Sequence, residues 1–216
     1  KYNFENKDEI GLIFNMSVGY DLKGIQNPNI QKFLNKMTNC SAELDNYIQL
    51  LEPIYPRIRD LKIPNQISNN LTISTMHGCP PEEIQQIAEY FIKERRFHTT
   101  VKLNPTLLGK EEVRDILNNR LGYDISVPEI AFEHDIKYLD AISMIRSLQL
   151  LSESMGVEFG IKLTNTLEVI NNNTDLPGSE NMVYMSGRAL HPIAINLALK
   201  LQTEFKGNVD ISFCAG

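Results

Sequence analysis

Apolar and polar positions follow two rhythms along this chain. A period of two predicts strands in six stretches: 9–18 (EIGLIFNMSV), 70–76 (NLTISTM), 98–106 (HTTVKLNPT), 128–135 (PEIAFEHD), 158–166 (EFGIKLTNT) and 209–216 (VDISFCAG). A period near 3.6 predicts helices over 27–39, 80–96, 110–121, 136–155 and 191–205, and one over 42–61 interrupted by Pro53 and Pro56. The clearest is 80–96. Pro81 suits a first turn, Glu82 and Glu83 complement the dipole there, and Ile84, Ile87, Ala88 and Phe91 fall on one side. The Asn-, Pro- and Gly-rich stretch 167–190 reads as a loop.

At least five strand-then-helix units in series predict an α/β fold with a parallel sheet covered by helices. A closed (β/α) barrel and an open doubly wound sheet both satisfy the pattern, and in both the ligand lies beyond the carboxyl ends of the strands. Polar residues collect at those ends: Ser74, Thr75, His77 and Cys79, then Lys102, Asn104 and Thr106, then Glu133, His134 and Asp135, then Lys162, Thr164 and Asn165. His191 falls just past the same rim, whereas His98 opens a strand and belongs to the opposite end.

The composition narrows the function classes. The chain has 216 residues, 42% of them hydrophobic, enough for one sizeable core in a single domain. A net charge of −6 without a long basic run speaks against nucleic acid as a partner. No apolar run approaches a membrane span, and no signal peptide is visible. Three widely spaced cysteines with no CxxC support neither a disulfide framework nor a cysteine-held metal, and fit a reducing cytoplasm. Starting without Met and ending on a strand followed by Gly, the chain reads as a fragment of a longer polypeptide.

Each rim residue also has a plain structural reading. A strand lysine can extend past a barrel end, a histidine can simply be solvated, Cys79 can be a small buried hydrophobe, and Asn165 can tie a loop. As a set the residues mean more, because accidents would scatter over both ends of the sheet. His77, Cys79 and His134 are the candidates for proton handling, for a Cys–His pair or for a metal site. Lys102 and Lys162 fit the stabilisation of an anion, or a Schiff-base amine in a third reading.

The motifs FNMSVGYDL, STMHGCPPEEI, VKLNPTLLG, FGIKLTNT and MSGRALHPIA together resemble the selenate reductase flavoprotein subunit family, large NAD(P)-dependent iron–sulfur flavoprotein dehydrogenases. The resemblance runs across nearly the whole chain. It implies one barrel domain, 1–216, of a longer multidomain chain whose other parts carry FAD, NAD(P) and iron–sulfur clusters. More remotely the chain is similar to the flavin-binding barrels of dihydroorotate and dihydropyrimidine dehydrogenases, which favours the TIM-type barrel over the open sheet, with its last strand–helix unit missing.

That second resemblance implies an FMN site in the intact barrel. It would be held by Lys102, Asn104, Lys162, Thr164 and Asn165 at the ring, and by Ser186, Gly187 and Gly216 toward the phosphate. The 216 residues alone are expected to be flavin-free, because the phosphate grip would continue beyond Gly216. The implied activity is electron transfer between NAD(P)H and an unnamed substrate, with other domains of the same chain, and partner redox subunits, as contacts. Two strand alignments to the flavin barrels stay open. One places Thr106 or Leu107 where those enzymes carry their base; the other places Thr75 there, with Cys79 nearby. The rival to the enzyme reading is a non-catalytic barrel that docks the redox domains.

Overall fold

The computed structural model describes residues 14–74, 78–171 and 180–214. In chain order its strands are β1 (Asn15–Val18), β2 (Asn70–Ser74), β3 (His98–Leu103), β4 (Phe159–Leu163), β5 (Leu167–Ile170), β6 (Met182–Met185) and β7 (Ile211–Phe213). Its helices are α1 (Leu22–Ile25), α2 (Pro28–Thr38), α3 (Ser41–Leu51), α4 (Pro81–Lys93), α5 (Lys110–Arg114), α6 (Glu129–His134), α7 (Tyr138–Met155) and α8 (His191–Glu204).

Five strands form one parallel sheet in the order β1-β2-β3-β4-β7. The order never reverses, so the sheet has no switch point of the doubly wound kind. Sequential parallel strands backed by helices are the wall of a (β/α) barrel. The two sides of the wall differ sharply. Leu71 and Ile73, Val101 and Leu103, and Ile161 and Leu163 alternate onto the outer side and are buried. There they meet α4, which buries Ile84, Ile87, Ala88, Phe91 and Ile92, and α7, which buries Ile142, Met144, Ile145 and Leu148. Phe91 stacks on Phe97 with ring centroids 6.1 Å apart. At about 25 cal/mol per Å² of apolar surface removed from water, this interface is the main source of stability.

The inner side is polar, and the pairing register sorts it into layers. Asn15, Asn70 and His98 form the lowest; Ser17, Thr72, Thr100 and Gly160 the next; Ser74, Lys102, Lys162 and Ser212 the one nearest the carboxyl ends. The lower layers are hydrogen-bonded across strands. Asn15 donates to Asn70 at 2.6 Å, and Thr72 donates to the Asn15 side chain at 2.7 Å.

The structure corrects several expectations. Residues 128–135 are not a strand, because Glu129–His134 is helical. Pro128, extended at φ −69°, enters the helix, and Glu129 sits in its first turn. The run Ile130–Ala131–Phe132 between polar residues fits a helical turn and a half as well as a short strand. The sheet also has no slot for them, since Lys102 pairs directly with Lys162. The stretch 167–190 is not all loop, because β5 pairs antiparallel with β6 from Leu167–Met185 to Ile170–Met182. The helix expected over 110–121 is α only to Arg114 and continues as a π-helical turn over Asp115–Arg120. The prolines of 42–61 end α3 at Leu51 and leave a 3₁₀ turn at Pro56–Asp60.

α7 stops where expected. Gly156 adopts φ +66° and its N–H returns to the last turn, a left-handed cap that a side chain would strain.

Candidate functional site

Two excursions rise from the carboxyl ends of the sheet. The first leaves β3 at Asn104, passes through a 3₁₀ turn at Pro105–Leu108, α5 and α6, and re-enters the wall through α7. It is tied down at both ends. Thr106 Oγ1 donates to the buried Asp135 carboxylate at 2.6 Å. Glu129 accepts from Lys110 at 2.8 Å and Arg114 at 3.0 Å, and both cations hold its carboxyl below the usual range. The second excursion is the β5–β6 hairpin, which joins the first through Ile170 N to Ser126 O at 2.8 Å.

Beneath them lie the strand ends. Lys102 and Lys162 are in-register partners on adjacent parallel strands, so both side chains leave the same, polar side of the sheet. Both are half-buried. Lys162 makes no hydrogen bond or ion pair among the described residues; Lys102 is partnered. One step beyond, Asn165 Nδ2 donates to Asn104 Oδ1 at 2.7 Å and to Lys102 O at 3.2 Å, while Asn165 N donates to Leu103 O at 2.8 Å. Asn104 and Asn165 are 3% and 7% exposed, so this amide pair is a buried clasp between β3 and β4. Thr164 is equally buried, and its Oγ1 has no hydrogen-bond partner among the described residues. The Leu163–Thr164 peptide is cis. Cys214, just past β7, donates its thiol to Thr164 O at 3.2 Å.

The fold therefore gathers Lys102, Asn104, Lys162, Thr164 and Asn165 at the ends of β3 and β4. Ser186 and Gly187 lie where the hairpin passes into α8, Ser186 exposed and Gly187 at φ +68°. His77, Thr75 and Gly216 lie outside the described residues. His134 is exposed at the end of α6, and a side chain at Gly78 would meet its Cβ at 3.9 Å, so Gly78 lies close beside it. The sequence reading placed His134 at a strand end; it sits at a helix end in the first excursion instead. Ser212 and Cys214 were not singled out, although the alternation Ile211–Ser212–Phe213–Cys214 puts them on the polar side beside Lys162.

Cys79 has a distinct environment. It is 8% exposed, and its thiol faces the Glu83 carboxylate at 3.9 Å. Burial first, and then the Glu83 charge, push its pKa up to about 11. The thiolate is the nucleophile and the base, so Cys79 stays a thiol at neutral pH. The sign for stability follows. The folded protein holds this proton more tightly than the unfolded chain (about 8.5), so the contribution is full below pH ~8.5 and is lost as pH rises toward 11. Cys79 is accordingly expected to resist iodoacetamide at pH 8 while the exposed Cys214 reacts. Mass-spectrometric mapping of alkylated sites checks this, and rapid labelling of Cys79 would contradict it.

Among the described residues no group of three or more His, Cys, Asp or Glu side chains is placed to hold a metal ion, and no helix is long and apolar enough to cross a membrane. A groove of about 710 Å³ lies between α2 and α3, lined by Gln31, Lys32, Asn35 and Ser41, on elements separate from the lysine pair.

The profile of the family described as "Oxidoreductase YgfK, N-terminal TIM-barrel domain" matches residues 1–216. The chain belongs to this YgfK N-terminal barrel family. The match agrees with the unreversed strand order and sets aside the doubly wound alternative. Two curated relatives, both called "Putative oxidoreductase YgfK", from Escherichia coli strain K12 and Escherichia coli O157:H7, are each 41% identical over 225 residues. The alignment covers 94% of this chain but 21% of each relative, so the chain spans about a fifth of the length of the curated relatives it matches. No solved structure matches.

Proposed function

We propose that this barrel is the flavin-binding part of an oxidoreductase, and that Lys102, Lys162, Asn104, Thr164 and Asn165 form the ring-binding end of its site. The observation that carries the reading is the in-register pair Lys102–Lys162, two cations side by side on the polar face of a parallel sheet at its carboxyl ends. Neighbouring like charges repel unless negative charge lies beside them; Lys102 has a partner, and Lys162, whose side chain has none among the described residues, is the cation open to an anionic ligand. The donor set fits a flavin: two ammonium groups, an amide clasp and an orphaned, buried hydroxyl suit a ring edge rich in acceptors that turns anionic on reduction.

FMN bound here would supply two-electron transfer. The chain's own residues then do three things. Lys162 compensates negative charge in the reduced state. The Asn104–Asn165 clasp holds the ends of β3 and β4 at fixed separation. The two excursions, locked by Thr106–Asp135 and by Glu129 with its cations, lie over the rim and limit water. Cys79 is assigned no ionised role. Proton handling falls to His134 or His77, as histidine titrates near neutrality. Ser186, Gly187 and Gly216 are the proposed phosphate side. FAD, NAD(P) and iron–sulfur clusters are placed in the rest of the polypeptide, with partner redox subunits beyond it, and the compartment is the cytoplasm.

The test is the flavin content of the full-length protein and of a Lys102→Met/Lys162→Met variant. One FMN per barrel is expected in the former, and a large loss in the latter with any FAD retained. Wild-type protein without FMN would favour the second reading, a scaffold barrel, for which the protonated Cys79 already speaks.

A further inference from the structure

α3 carries one broad apolar face, only part of which is covered. Leu44 and Ile48, four apart, are half-buried toward the body. Tyr47, Leu50 and Leu51 widen that face, Ile54 follows in the turn after α3, and the four are 64%, 69%, 43% and 81% exposed. No residue of α3 is fully buried. A helix face open to water normally carries polar residues, so an apolar face left this exposed marks a surface that another layer covers. The segment that follows continues the surface with Tyr55, Leu61 and Ile63, each at least 40% exposed. It is ordered by the two-pronged pair of Arg59 with Glu52, whose charges cancel and so do not oppose covering the patch. Single exposed apolar residues are ordinary; seven concentrated within residues 47–63 are the signature of an interface.

We propose that this α3 face is the docking surface for the remainder of the polypeptide in full-length proteins of the YgfK family. The length relation selects the occupant. The barrel is 21% of its relatives, so most of the chain lies outside it and must pack somewhere. Covalent linkage gives those domains an effective concentration of roughly millimolar at the barrel surface, which a second copy in dilute solution does not reach. The surface lies on α3 and its continuation, apart from β3 and β4, so docking there leaves the carboxyl-end rim accessible. This inference does not depend on flavin binding.

The experiment uses the full-length protein with the exposed Tyr47 replaced by the photoreactive p-benzoylphenylalanine. On irradiation, the cross-links are expected to join position 47 to residues outside the barrel in the same polypeptide, with a yield independent of protein concentration. Adding Leu51→Asp and Ile54→Asp, which puts charge into the contact, is expected to lower that yield roughly tenfold or more. The circular dichroism of the barrel should not change, because both side chains are already exposed. Cross-links to a second copy that scale with concentration, to a different protein, or only to the barrel itself would overturn the proposal. So would a yield that the two substitutions leave unchanged. If the doubly charged variant fails to fold, the map from the Tyr47 probe alone decides.

Discussion

If the barrel binds flavin as proposed, replacing Lys162 with Met in the full-length protein is expected to lower its two-electron potential by roughly 30–60 mV and to slow turnover with it. The side chain lies in the layer nearest the carboxyl ends and makes no ion pair among the described residues, so its charge is available to a ligand. A charge-assisted hydrogen bond is worth about 1.5–3 kcal/mol, and about 1.4 kcal/mol corresponds to ~30 mV in a two-electron couple. The sign follows from which state carries the charge. The reduced ring is the anionic one, so removing a cation beside it disfavours reduction and moves the potential down. Methionine keeps the length of the lysine stem, so packing changes little. Spectroelectrochemical titration reads the shift. If the potential and turnover stayed where they were while His77→Ala or His134→Ala abolished activity, the lysine assignment would fall.

Asn165→Ala should cost roughly 2–5 kcal/mol of stability, the largest effect expected from any single change at the rim. Its Nδ2 is the donor for both Asn104 Oδ1 and Lys102 O, and the two asparagine side chains are almost wholly out of water. Truncation leaves those acceptors short of a donor in a place where water does not easily reach them, at about 1–3 kcal/mol each. Urea unfolding should show a lower midpoint with an unchanged slope. Asn165→Asp adds a pH signature. It replaces a donor by a carboxylate facing the acceptor Asn104 Oδ1, so the folded variant binds a proton more tightly than its unfolded chain. Its deficit should be smallest in acid, below about pH 4, and should grow as pH rises through the folded pKa. A stability equal to wild type in both variants would show that the clasp is ornamental. A deficit in Asn165→Asp that did not depend on pH would show the hydrogen-bond direction to be wrong.

The two results together separate charge from architecture. Lys162→Met should change redox behaviour with little loss of stability, whereas Asn165→Ala should loosen the junction of β3 and β4 on which both lysines depend.

Much of this protein was legible in its sequence because the relevant physics is local. Strands β3 and β4 show their burial as a period of two, β2 shows it in its sequence although Thr72 is buried as well, and α4, α7 and α8 show theirs as a period near 3.6. Series of strand and helix imply a parallel sheet, and in such a sheet the polar residues that follow each strand mark the ligand end. That reasoning reaches Lys102, Asn104, Lys162 and Asn165 without coordinates. It stops where a segment's fate depends on its neighbours. Residues 128–135 carry a short apolar run that fits a strand or a helical turn, but a strand needs an open edge, and the direct pairing of β3 with β4 leaves none. Residues 167–170 and 182–185 are each four long and flank an Asn-, Pro- and Gly-rich stretch, so only their mutual pairing makes them strands. Cys79 reads from sequence as either a small buried hydrophobe or a reactive thiol, and its burial and the Glu83 carboxylate, which raise its pKa, decide between them. The register that sets Lys102 beside Lys162 joins residues 60 positions apart. Sequence alone determined that Lys102, Asn104, Lys162 and Asn165 reach the carboxyl rim, since side-chain alternation and the succession of strand and helix are properties of the chain; tertiary structure decided where His134 sits and which residues meet, since register, burial and local dielectric exist only once distant segments share a surface.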